Sequence, residues 1–320
     1  SLVGSIINGT GSQISFGTVA NAATYQVVAR NTLTACETTM NGSAVVTVEA
    51  APLVFSVTGG GYYCQGGEGV SIDLDGSQNG VTYELYLDNN PTGNIVSGTS
   101  NSIGFGNQTI AGTYTVVASN GGLGCQSTMN GSADISINPL PDIFSLNAGD
   151  SYCSGGTGIE IVLSGSEVGI NYQLYFDSNT IGELVPGTGD ELIFGLYTQE
   201  GDYTVTAINP TTLCSVQMDG TASVSILPLP QVFSVTMTGE NVICLGQTGP
   251  EIGLNGSETG ISYQLLVNNN PIGDPVSGNG STISFGTQNT DGTYTVIAQN
   301  SNTLCETSMT GSAQVIVLDT

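Results

Sequence analysis

TYTVVASN at residues 113–120 returns as DYTVTAIN at 202–209, as TYTVIAQN at 293–300 and, earlier, as TYQVVARN at 24–31. In each copy apolar residues alternate with polar or small ones, the period of a half-buried β-strand. The tyrosines Tyr25, Tyr114, Tyr203 and Tyr294 step by 89, 89 and 91 residues, and Cys36, Cys125, Cys214 and Cys305 step identically. Cys64, Cys153 and Cys244 step by 89 and 91. A fixed period of this size is the mark of a tandem array. The chain reads as 1–50, the C-terminal half of a repeat, followed by full repeats at 51–139, 140–228 and 229–320. Prolines mark the joins, in APLVFSV at 51–57, PLPDIFSL at 139–146 and PLPQVFSV at 228–235. Proline fixes φ and stiffens such short links, so a semi-rigid row is expected.

Within 51–138, short alternating stretches (LVFSVT, VSIDLD, VTYELYLD, NSIGFG, GTYTVVAS and CQSTMNGSADISI) are separated by Gly, Asn and Ser clusters. About seven such strands in about 90 residues predict an all-β fold, an immunoglobulin-like antiparallel β-sandwich repeated in tandem. The tyrosine of G-x-Y fits a tyrosine corner, a ring whose hydroxyl ties back to the preceding loop, and fits a plain core aromatic equally well. Cys125, Ser127, Met129, Gly131, Ala133, Ile135 and Ile137 share one parity. A hairpin at Asn130-Gly131 would turn Ser132, Asp134 and Ser136 inward, so one unbroken final strand of about 13 residues is expected, roughly 40 Å long at ~3.3 Å per residue. The leading half-repeat cannot bury both faces of its strands. It is expected to be part of a longer array, or to borrow strands from another chain.

Of 320 residues, 26 are Asp or Glu, one is basic (Arg30), and none is His or Trp; the formal charge is −25. Without His or Lys there is no Ser-His or Cys-His nucleophile pair, no Schiff-base lysine, no P-loop and no lysine-dependent isopeptide staple. One cation does not neutralise a run of phosphates, so nucleic acid is excluded as a partner. Neither a membrane-length apolar run nor a signal-peptide pattern is present, and membrane insertion is not expected. The chain is read as not an enzyme.

Regularly placed Cys in a Gly-rich β-repeat points to an oxidising, extracytoplasmic compartment. Pairing within repeats (Cys64–Cys125, Cys153–Cys214, Cys244–Cys305) spans the same interval in all three copies, whereas pairing across the linkers lengthens at the last join. The constant spacing favours bonds within repeats, leaving Cys36 unpaired. A loop of that size is worth on the order of 4 kcal/mol in the chain-entropy model. One objection stands: the two cysteines belong at opposite ends of a simple sandwich, which leaves buried free thiols as the alternative.

Asp73 and Asp75 lie two apart on one strand, a spacing open to acid–base work on a glycoside. The second repeat has Val162 and Ser164 there and the third Gly253 and Asn255, which favours a solvated strand face. The loops LDNNPTG (87–93), FDSNTIG (176–182) and VNNNPIG (267–273) make Asp88 and Asp177 weak calcium candidates, against a plain polar turn. No cofactor is otherwise expected. Asn-x-Ser/Thr occurs at Asn8, Asn41, Asn107, Asn130, Asn255 and Asn279, as chance allows in so polar a chain.

SYCSGGTGIEIVLSGSEVGINYQLY at 151–175, GDYTVTAINPTTLC at 201–214 and MDGTASVSI at 218–226 resemble the tandem immunoglobulin/PKD-like repeats of giant cell-surface proteins of Bacteroidota. Those include SprB-type gliding adhesins exported by the type IX system. The resemblance covers every repeat, with Cys244 departing from the Y-C-x-G-G opening. It implies export to the bacterial cell surface, a long stalk, and attachment to a surface or polysaccharide ligand, and it carries no catalytic residues. Neighbours would be repeats of the same long chain. The alternative is a filament subunit joined to other copies by β-strand exchange.

Overall fold

The computed structural model describes residues 2–121, 124–147 and 149–319. These residues form strands and turns with no α-helix, and pack as two compact units, Ser1–Pro139 and Leu140–Thr320.

In the first unit, β1 (Ala23–Tyr25) pairs with β4 (Ala44–Val46), and β2 (Val28–Arg30) with β3 (Glu37–Thr39). None of these strands contributes a buried residue. The following repeat has nine strand segments: β5 (Val57–Gly59), β6 (Gly61–Cys64), β7 (Val70–Leu74), β8 (Val81–Leu87), β9 (Asn90–Ser97), β10 (Ile103–Gln108), β11 (Gly112–Asn120), β12 (Gln126–Thr128) and β13 (Ala133–Asn138). One sheet has the order β10-β7-β5. The other runs β6-β13-β11-β8-β9, with β12 also on β11. The inward residues of both sheets (Ile72, Leu74, Tyr83, Leu85, Phe105, Tyr114, Val116 and Ile135 among them) form one apolar core. The arrangement is an immunoglobulin-like sandwich, as the strand pattern predicts.

The second unit holds two more such cores, one drawn from residues 146–224 and one from 243–315. Their sheets repeat the first pattern: Gly149–Cys153 beside Ala222–Leu227, then Gly201–Ile208, Asn171–Phe176 and Asn179–Pro186; and Val242–Cys244 beside Ala313–Leu318, then Gly292–Asn300 and Ile261–Val267.

The recurring G-x-Y is a tyrosine corner in every copy. Tyr114, Tyr203 and Tyr294 are buried, and each hydroxyl donates to the carbonyl four residues upstream, Ile110, Gln199 and Thr290, at 2.9 Å. Tyr25 does the same to Asn21 at 2.8 Å.

The final strand is not continuous. It splits into β12 and β13 because the chain turns aside between them: the Asn130 N–H donates to Phe55 O, and the Val57 N–H to Asn130 O. Gly131 lies at φ +78° to allow it. The parity holds across the break, with Met129, Ala133 and Ile135 buried, and no hairpin forms. The thioether of Met129 meets the Phe55 N–H at 3.4 Å, and Met218 and Met309 serve Phe144 and Phe233 likewise.

Burial raises the phenol pKa of Tyr114, Tyr172, Tyr197, Tyr203 and Tyr263 above the ordinary 10.0. A folded-state pKa above the unfolded one means that the fold holds these protons more tightly. The stabilisation is therefore complete below about pH 10 and is lost as pH rises past it. Melting temperature followed by circular dichroism is expected to be flat through neutral pH and to fall above about pH 10, together with a delayed tyrosinate absorbance. A midpoint of phenol ionisation at the free-tyrosine value would contradict this.

Candidate functional site at the repeat junction

Two features recur where repeats meet: a pinned linker and a cysteine at each end of the sandwich. The linker prolines Pro52, Pro141 and Pro230 are buried. Just after them, the N–H groups of Leu53, Asp142 and Gln231 donate to the side chains of Gln78, Glu167 and Glu258, at 2.5, 3.1 and 2.9 Å. Those acceptors are themselves held. The backbone N–H of Gln78, Glu167 and Glu258 donates to the hydroxyl of the buried Tyr83, Tyr172 and Tyr263, at 2.8 to 2.9 Å. The neighbouring Ser77, Ser166 and Ser257 are buried and donate to the carbonyls of Asn101, Asp190 and Ser281. Sequence reasoning missed this clasp, although G-S-[Q/E]-x-G followed by Tyr stands in all three full repeats.

The cysteines are bonded differently from the sequence expectation. Cys153 is joined to Cys305, 152 residues away, with Cα atoms 5.5 Å apart. Cys64 and Cys214 are also disulfide-bonded, while Cys36, Cys125 and Cys244 are free thiols. The predicted Cys64–Cys125, Cys153–Cys214 and Cys244–Cys305 pairs are therefore replaced. The reason is strand direction. Gly149–Cys153 runs parallel to Ala222–Leu227, placing Cys153 opposite Leu227 at the far end of the last strand. Cys214 sits before that strand begins, about 13 residues or roughly 40 Å away. Disulfides need Cα atoms within about 7 Å. Cys64 opposite Asn138 and Cys244 opposite Leu318 repeat the placement. Within Leu140–Thr320, the cysteine that opens one repeat thus meets the cysteine that follows the TYTV-like strand of the next, Cys153 with Cys305.

The cysteines that follow the TYTV-like strands share one backbone hydrogen bond. In Asn-x4-Cys, the N–H of Asn31, Asn120, Asn209 and Asn300 donates to the carbonyl of Cys36, Cys125, Cys214 and Cys305 at 2.9 Å. The Asn31, Asn209 and Asn300 side chains each accept two N–H groups inside the loop. The residue before the cysteine is left-handed, as Ala35 (φ 61°), Gly124 (φ 69°), Leu213 (φ 60°) and Leu304 (φ 62°).

The carboxylate candidates have structural work. The Asp88 carboxylate accepts the Thr113 N–H at 3.0 Å, and Asn268 accepts Thr293 in the same way, so the position needs an acceptor and not a charge. Asp88-Asn89, Asp177-Ser178 and Asn268-Asn269 all have positive φ and form two-residue hairpin turns. Asp75, Ser164 and Asn255 each accept the N–H of the adjoining strand, from Ser56, Ser145 and Ser234. Asp73 accepts the Ser71 hydroxyl. Among the described residues no cluster of three His, Cys, Asp or Glu groups is placed to hold a metal. Nor is any helix among them long and apolar enough to cross a membrane. Asp88→Asn is expected to leave stability within about 0.5 kcal/mol, while Asp88→Ala costs about 1 kcal/mol for the lost acceptor. Urea unfolding of both variants checks this, and a large loss in Asp88→Asn would restore a role for the charge.

No family model matches the sequence, and no curated protein is similar to it at a significant level. Solved structures with a similar fold include the N-terminal eight Ig domains of Down Syndrome Cell Adhesion Molecule isoform 1.30.30, at 14% identity and TM-score 0.36 over 96% of this chain and 41% of that one. Sidekick-1 immunoglobulin domains 1–5 follow at 15% and 0.31, over 96% and 69%. The fibronectin(III)-like modules of Clostridium thermocellum CbhA stand at 14% and 0.32, over 55% and 95%. The chain thus spans under half of the first of these structures. At such identities the likeness is one of fold alone, and it is the strand order of the chain itself that makes it a tandem array of immunoglobulin-like β-sandwiches.

Proposed function

We propose that the chain is a non-catalytic extracellular segment of a long repetitive bacterial surface protein, acting as a stiff spacer and as an element of surface attachment in adhesion or gliding. The observation that carries this reading is the Cys153–Cys305 bond, which welds one sandwich to the next instead of stapling a single core. A bond of this kind serves a chain that transmits tension between its ends. It also requires an oxidising compartment, outside the cytoplasm. The clasps at Leu53, Asp142 and Gln231 fix the opening of each repeat to its own sandwich. The resemblance to Bacteroidota gliding adhesins supplies the bacterial surface and a surface or polysaccharide ligand.

Antibodies raised against the chain, applied to intact source cells, test the reading. Surface labelling removed by proteinase K is expected, together with loss of attachment or gliding when the gene is deleted. Trypsin is the wrong protease, since Arg30 is the only basic residue. Labelling that appears only after lysis would overturn the reading. A second reading is a filament built by strand exchange between copies. Light scattering under reducing conditions separates the two, with a monomer expected for the spacer.

A further inference from the structure

In each full repeat one strand of the smaller sheet, Ile103–Gln108, Leu192–Tyr197 or Ile283–Thr287, is paired along one side only. Such an edge leaves alternate N–H and C=O groups open to a further strand. The first and third repeats blunt theirs. In the first, the side-chain amides of Asn94 and Gln108 donate to Phe105 O at 2.8 and 3.0 Å; in the third, Gln288 donates to Phe285 O at 2.9 Å. Their outward positions are small or polar, Gly104 and Asn107 in one and Ser284 and Thr287 in the other. The second repeat has neither device. Glu183 stands at the place of Asn94, and a carboxylate has no N–H to donate. Tyr197 replaces the glutamine, and its hydroxyl reaches Phe194 O only at 3.4 Å. Ile193 and Leu196 take the outward positions and are 55% and 58% exposed. Ile193 lies opposite Val162, where the other repeats have Asp73 and Gly253. One internal repeat thus carries an uncapped, apolar strand edge along its flank.

We propose that Leu192–Tyr197 is a docking edge for an extended, basic segment of a partner protein, which adds to the sheet as one more strand and lays apolar side chains over Val162, Ile193 and Leu196. Charge selects the occupant. Asp190 and Glu191 precede the strand, Glu200 follows it, and Glu160 lies opposite Leu196, all of them exposed. Arg30 is the only cation of the chain. A second copy would bring its own acids to this edge and be repelled, whereas a strand flanked by Lys or Arg is attracted. Main-chain hydrogen bonds supply the affinity of such an added strand, and the apolar side chains set its register. This goes beyond the spacer reading, because it gives one repeat of the array a protein partner that its neighbours lack.

Calorimetric titration of the whole chain with a synthetic peptide of alternating valine and threonine, flanked by lysines, is the test. Saturable one-to-one binding is expected, weakening as salt rises, with new hydrogen-exchange protection confined to Leu192–Tyr197. Ile193→Ser and Leu196→Thr install the residues of the third repeat, so the fold should keep its melting temperature. Each should weaken the peptide roughly tenfold or more through lost apolar burial. No binding, equal binding of the same peptide flanked by glutamates, or equal protection at Ile103–Gln108 and Ile283–Thr287 would overturn the proposal. Self-association of the chain in sedimentation, removed by Ile193→Ser, would overturn it too, by making a second copy the occupant. Surface labelling of cells is independent of this result, so the two readings fail separately.

Discussion

Cys153→Ser is expected to let the two repeats of residues 140–320 extend under force by roughly 500 Å more than the wild type does, because each residue freed from the loop adds up to ~3.6 Å of contour. With handles at Pro139 and at the chain end, the intact bond offers a short path through Cys153 and Cys305. The stretch between them, a separation of 152 residues, is hidden from tension until the bond is gone. Single-molecule force spectroscopy reads this length directly. In the wild type both sandwiches are shielded, since most of their strands lie inside the loop. Solution stability should drop as well: closing a loop this long is worth about 5 kcal/mol in the chain-entropy model, an upper figure here because each sandwich keeps its own core. Equal extension of variant and wild type would mean that the bond does not bridge the repeats in solution.

Gly187→Ala should be strongly destabilising in the second repeat. A Cβ there would lie 2.1 Å from the carbonyl oxygen of Glu167, a backbone atom that cannot swing away, and 3.0 Å from the Tyr172 ring. Gly98 and Gly278 meet Gln78 and Glu258 in the same way, at 1.9 and 2.0 Å. Relieving the clash moves Glu167, which holds the Asp142 N–H of the linker. A cost of about 3 kcal/mol is expected from forced overpacking. Hydrogen exchange at Asp142 should speed up in the variant, reporting the loosened linker. Gly121→Ala, with open space around it and no left-handed φ, is the control and should cost under ~0.5 kcal/mol. Equal melting temperatures for the two variants would remove the clasp from the account.

The fold was legible because its signals are local. Alternation in TYTVVASN, the proline joins and the near-constant step between copies each follow from a few neighbouring residues. The tyrosine corner was legible as a possibility, since the carbonyl it binds is only four residues upstream. The cysteine pairing was not. It turns on the direction of a segment as short as Gly149–Cys153, which lies parallel to Ala222–Leu227, at the other end of the same repeat. The constant spacing that favoured internal bonds measures the separation of the two ends of one sandwich and says nothing of what each end touches. The break in the last strand was hidden for a related reason: Asn130 is drawn aside by Phe55 and Val57, which belong to the opening segment of the repeat. The turn at Asp88 was legible as a polar turn, but its tie to the Thr113 N–H, 25 residues further on, was not.

Each sandwich carries one sulfur at its leading edge and one at its trailing edge, as Cys153 and Cys214 do in the second. Recombination that adds or removes a whole period therefore leaves the pattern of crosslinks intact. A frame-preserving deletion of part of a period strands a reactive sulfur on either side of the scar. Lengthening or shortening by complete units is then the safe route of variation, and near-identical spacing among copies is what such a history leaves behind.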